Sequence, residues 1–171
     1  MVNTKFFLRK SLVAGLIFSS GCASLSSQSP VDQVSVVQIN TQLEIPSGKA
    51  RVYIQNGVQP TKKDIDKWST FCSVLMQKSH SKRQPALTVS PGRFDIINVR
   101  KSSELYADRY LTQTQRFDEN IYKVDMRLKS DAQPEVRSLI CAKHFAGIGS
   151  EYPTLGEIRT ALDESIKVET P

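Results

Sequence analysis

Cysteine and histidine are scarce enough in this chain to mark chemistry: Cys22, Cys72 and Cys141, with His80 and His144. Cys141 and His144 stand at C-x-x-H spacing, which would supply two ligands of a zinc site with Cys72 and His80 to complete it. A histidine can also serve as a general base, but His80 sits in the loop-like KSHSKR segment and His144 reads as a strand-end residue. No G-x-S-x-G, no H-E-x-x-H and no phosphate-binding glycine signature occurs, so no catalytic residue, resident metal or cofactor is expected. Carboxylates number 17 and run through the whole sequence. A glycan hydrolase would need two of them at a set separation across a cleft, which spacing in sequence does not establish. The remaining candidate is electrostatic. Lys78, Lys82 and Arg83, beside His80 and extended by Lys62, Lys63 and Lys67, would make a contact for anionic headgroups or lipopolysaccharide phosphates; the competing reading is a solvated basic loop.

The start of the chain is an address. Lys5, Arg9 and Lys10 precede the short apolar run Ser11 to Phe18, which ends in small residues, the layout of a secretory signal. The run is too short for a spanning helix, which needs about 20 predominantly apolar residues. Ser19, Ser20, Gly21 and Cys22 resemble the lipobox of bacterial lipoproteins, although Ser19 stands where that family usually carries Leu. The resemblance covers the signal and its cleavage site only. It implies that residues 1–21 are removed, that Cys22 carries a diacylglyceryl thioether, and, with Ala23 following, that the protein sits on the periplasmic face of the outer membrane. Each buried CH₂ of an attached chain is worth about 0.8 kcal/mol, and two or more chains anchor stably where one does not.

Lipidation of Cys22 would also resolve the odd cysteine count. It leaves Cys72 and Cys141 in an oxidising compartment, where a disulfide between them is expected. The formal charge of +6 falls to +3 once Lys5, Arg9 and Lys10 leave with the signal, which gives no case for a nucleic-acid partner. The implied partners are the membrane through the lipid, an envelope protein, and an anionic lipid or lipopolysaccharide.

The elements that position these residues read as follows. Residues 22–30 are a small, polar tether, and residues 31–171 form one domain. Val34 to Ile45 and Ala50 to Gln55, joined by Pro46–Gly48, predict a hairpin, and Asn56–Gly57 the next turn. Thr61 to Lys67 reads as a turn or short helix leading into a strand from about Trp68 to Gln77. Ala86 to Ser90 and Phe94 to Arg100 are strands, with the facing of Phe94, Ile96, Ile97 and Asn98 undecided. Lys101 to Asn120 reads as an exposed connection with a short element around Leu105 to Leu111. Ile121 to Leu128 alternates cleanly, and Val136 to Cys141 is a further strand followed by a Gly147–Tyr152 loop. Leu155, Ile158, Leu162 and Ile166, preceded by Pro153 and Thr154 and with Glu157 early, predict a closing helix. The fold class expected is mainly β: an antiparallel sheet, sandwich-like or partly closed, with a C-terminal α-helix. The expected function is that of a membrane-anchored, non-enzymatic accessory or binding protein, with a carboxylate-pair glycan hydrolase as the alternative.

Overall fold

The computed structural model describes residues 30–77, 85–105, 119–146 and 151–171. Nine strands and one α-helix make up these segments: β1 Val36–Ile39, β2 Leu43–Ile45, β3 Arg51–Ile54, β4 Phe71–Met76, β5 Leu87–Val89, β6 Gly92–Leu105, β7 Glu119–Lys129, β8 Val136–Ala146, α1 Leu155–Leu162 and β9 Ile166–Glu169. Seven strands form one antiparallel sheet in the order β3-β4-β8-β7-β6-β1-β9, and β2 pairs with β5 in a small second sheet. Helix α1 touches both β4 and β9 although they are second and last in that order, so the large sheet curls around it as a half-barrel.

Alternation decides which face is inside. Tyr122, Val124, Met126 and Leu128 of β7 are buried, as their period of two predicts. Val52 and Ile54, Cys72 and Val74, and Leu139 and Cys141 continue this face across β3, β4 and β8. Leu155, Ile158, Ala161 and Leu162 of α1 pack against it, and Leu43, Ile45 and Val89 of the small sheet join the same core. A capping box starts the helix: Thr154 accepts from the Glu157 N–H while the Glu157 side chain accepts from the Thr154 N–H.

Four expectations need correction. The hairpin between Val34–Ile45 and Ala50–Gln55 does not form, because the first segment breaks after Ile39. Its first half pairs with β6 and β9, its second with β5, while β3 pairs with β4. The Pro46–Lys49 turn exists, closed by a Lys49 N–H to Pro46 carbonyl bond with Gly48 at φ 71°, but it turns the chain from one sheet to the other. Lys101–Leu105 belongs to β6 and pairs with Asn120–Val124 of β7; its side chains are largely exposed, so no apolar period marked it. Residues 106–118 lie outside the described segments. Ile166 is not helical, because Asp163 at φ 48° ends α1, a single 3-10 turn follows, and Ile166 and Val168 then face inward from β9. The strand expected from Trp68 begins at Phe71, with Trp68 in the preceding turn.

The undecided facing in β6 has a structural answer. The β6–β7 register skips Ile97, which is exposed, and this bulge resets the pleat so that Phe94 and Ile96 before it and Val99 after it all reach the core. At the Asn56–Gly57 turn, both residues take positive φ, and the Gly57 N–H caps the Ala161 carbonyl in the last turn of α1. A Cβ at Gly57 would stand 2.9 Å from the Asp163 side chain, so the turn can dock there only as glycine.

Candidate functional site

Successive strand residues point to opposite faces, so the sheet that buries its core on one side presents a second set of side chains on the other. In the strand order, Tyr53 of β3, Ser73 of β4, Ile140 of β8 and Asp125 of β7 stand in one row, followed by Phe71, Ala142, Lys123 and Ser102 in the next. His144 and Glu104 extend the face through Ile121. Together with the 61–67 turn they line an open groove of about 620 Å³.

The groove carries five cations, Arg51, Lys62, Lys63, Lys67 and Lys123, against the carboxylates of Glu104 and Asp125. Two cations are neutralised: Lys123 pairs with Glu104 at 2.5 Å and Lys67 with Glu119 at 3.1 Å. Glu119 also bonds to the His144 ring, whose far side meets Trp68 edge-on at 6.2 Å between centroids. Burial alone would push the Glu119 carboxyl up, but the hydrogen bonds and charges of His144 and Lys67 hold it below the ordinary glutamate value. Arg51, Lys62 and Lys63 have no acidic partner among the described residues. The floor is apolar between them, with Tyr53 and Phe71 edge-to-face at 6.3 Å.

A second cavity, of about 830 Å³, opens on the helix side of the sheet and is lined by Thr70, Lys143, Glu151 and Glu157. Lys143 points to the core face of β8 with its side chain only 7% exposed, and its ammonium bonds Glu157 at 2.8 Å and Glu151 at 3.0 Å. Burial would lower the Lys143 pKa, yet the two glutamates hold it above the usual lysine value. Glu157 is pushed up by burial but ends below the ordinary value through Lys143 and its bonds at Thr154. The Thr70 hydroxyl is buried with no hydrogen-bond partner among the described residues.

Cys72 and Cys141 lie directly opposite each other on β4 and β8, their Cα atoms 4.0 Å apart and their sulfurs bonded. His144, three residues on, faces the other side of the sheet, so the C-x-x-H spacing cannot converge on one ion. Among the described residues no three His, Cys, Asp or Glu gather as a metal site. Cys22, Lys78, His80, Lys82 and Arg83 fall outside the described residues. Lys62, Lys63 and Lys67 do come together on the groove, joined by Arg51 and Lys123, which sequence reasoning did not group with them. The signal for Arg51 and Lys123 was only their polar phase in two alternating strands. No helix among the described residues is long and apolar enough to cross a membrane. Compared with known proteins, the chain matches no family model, no curated protein and no solved structure.

Proposed function

We propose that this protein is a non-enzymatic binding protein of the cell envelope, held to the outer membrane by lipid on Cys22, that takes an anionic envelope component on the basic face of its sheet. The observation that carries this reading is the convergence of Arg51, Lys62 and Lys63 on one groove where none of them forms an ion pair among the described residues, with Asp125 the one lining carboxylate outside the Lys123–Glu104 pair. The aromatic floor beside them is a low-dielectric surface, which strengthens their attraction for an anion. A membrane tether raises the local concentration of whatever the groove meets, so modest affinity suffices.

A glycan-acting hydrolase finds less support in the charges. Asp66, bonded by the Ser69 hydroxyl and the Trp68 N–H, sits below the ordinary aspartate value, and Glu119 and Glu157 are likewise held down, whereas a general acid is held up. An envelope protein is the second reading of the partner, favoured by β3, which among the described residues has a strand on one side only and offers its other edge for strand addition.

Two measurements test the proposal. Cys22→Ser should move the protein from the membrane fraction to the soluble periplasm or leave it unprocessed; unchanged lipid labelling would refute the anchor. In the soluble protein, Lys62→Glu with Lys63→Glu should weaken calorimetric binding of glycerol phosphate at least about tenfold, since each cation near an anionic group is worth about 1 kcal/mol. A wild-type chain that shows no saturable binding of this probe would overturn the reading of the groove.

A further inference from the structure

Arg51, Tyr53 and Lys62 line the basic groove, and the same three residues also line a neighbouring cleft of about 1070 Å³ beyond the free edge of β3. The two spaces therefore share one wall, and a single molecule can occupy both. Their linings differ. The cleft is mainly apolar: Ile45 and Val52 form its buried floor, and Pro46, Pro60 and Ala86 stand around it. Its charged groups are Lys49, Arg51 and Lys62, with Glu44 as the carboxylate among the described residues, so its rim is positive.

The cleft walls come from four separate stretches, β2 with the residues around it, β3, Gln59–Lys62, and Ala86 just before β5. Gln59 fixes their spacing, because its side-chain amide accepts from the Glu44 N–H at 3.1 Å and donates to the Gln42 carbonyl at 3.5 Å. The free edge of β2 is thus satisfied from within the chain and the cleft is held open beside it. Its volume is slightly above the roughly 300–1,000 Å³ usual for small-molecule sites, which are mostly apolar with a few placed polar groups.

We infer that the ligand is a single anionic amphiphile, with its anionic head on Arg51, Lys62 and Lys63 and its apolar tail in the cleft between Ile45, Val52, Pro60 and Ala86. This rests on the proposed anion-binding role of the groove and adds the class of molecule that bears the charge. Charge complementarity selects the head, because Arg51 and Lys62, which border both spaces, form no ion pair among the described residues. The apolar lining selects the tail, because hydrocarbon laid against the exposed Pro46 and Ala86 and the half-buried Pro60 leaves water together with their surface. A head without a tail would leave the cleft empty, and a neutral tail would leave the cations unanswered.

The test compares ligands that share one half of that chemistry. Dodecyl phosphate below its micelle concentration should bind the soluble Cys22→Ser protein at least about a hundredfold more tightly than glycerol phosphate, since each buried CH₂ adds about 0.8 kcal/mol. Ala86→Trp, at an exposed position on the cleft wall, should abolish most of that advantage and leave glycerol phosphate binding unchanged. Pro46→Trp, exposed on the opposite wall, should do the same and guards against one variant that fails to fold. Lys62→Glu with Lys63→Glu should weaken both ligands. Equal affinity for the two phosphates, or full retention of the dodecyl advantage in both tryptophan variants, would overturn the tail site and leave the basic groove standing. Failure of the wild-type protein to bind either phosphate would remove the groove reading and the inference together. Binding only to phosphatidylcholine vesicles doped with dodecyl phosphate, with none to the monomer, would mean that this face docks on a bilayer, and would also overturn the inference.

Discussion

Replacing Cys72 and Cys141 together by alanine should lower the stability of the domain by about 4 kcal/mol and its melting temperature by roughly 10–20 °C. The bridge spans 69 residues of sequence and ties β4 to β8 at directly opposed positions. In the chain-entropy account, a loop of that length restricts the unfolded ensemble far more than it alters the folded sheet. Both cysteines are fully buried in the core, so alanine also leaves small gaps, which adds to the loss. The measurement is urea unfolding of the wild-type and double-alanine proteins with and without reductant. Reduced wild type should unfold close to the double variant, and the variant should not respond to reductant. Two thiols that titrate freely in the unreduced protein isolated from its host would remove the bridge and the prediction with it.

That bridge was legible before the fold because a lipidated Cys22, as its resemblance implies, would leave two cysteines to pair, and no geometry was needed. The β7 alternation from Ile121 to Leu128 and the helical spacing of Leu155, Ile158 and Leu162 were legible for a related reason: each is written in residues a few positions apart. What escaped the sequence depends on long-range pairing. Ile166 falls at helical spacing from Leu162, and only the reversal at Asp163 sends it into β9 against β1. Val34–Ile45 has strand chemistry throughout, yet its two halves find partners in different sheets. The basic face was visible at Lys62, Lys63 and Lys67, which are near neighbours in the chain. Arg51 and Lys123 join them only because β4 and β8 stand between β3 and β7. The Lys67–Glu119 pair, 52 residues apart, is equally a product of sheet order. Lys143 is the sharpest case, since a lysine inside an otherwise apolar strand phase reads as a misplaced charge until Glu151 and Glu157 are brought over it.

Glu157→Gln tests that buried charge most directly and should cost about 2–3 kcal/mol at neutral pH. Removing one partner of a buried ion pair costs more than the pair contributes, because the remaining charge stays in a poorly solvated site. The loss is smaller than for a fully enclosed pair, since the Glu157 side chain is 40% exposed and Glu151 still faces the ammonium. Glutamine keeps an oxygen for the Thr154 N–H, so the helix cap survives and the variant isolates the charge. Glu157→Ala, which removes both, should lose about 1 kcal/mol more. The pH dependence has a definite sign on each side. Glu157 is depressed in the folded state, so its contribution is present above its unfolded value near 4.5 and is lost as pH falls through the lower folded value. Lys143 is raised, so its contribution is present below its unfolded value near 10.5 and is lost as pH rises through the higher folded value. The stability difference between wild type and Glu157→Gln should therefore be level from about pH 5 to pH 10 and shrink beyond both limits. Lys143→Met, which removes the buried charge and leaves both glutamates near solvent, should cost less than Glu157→Gln at pH 7. Equal unfolding midpoints for wild type and Glu157→Gln at pH 7, or a difference that persists undiminished at pH 3, would show that the ammonium is not held by these two glutamates.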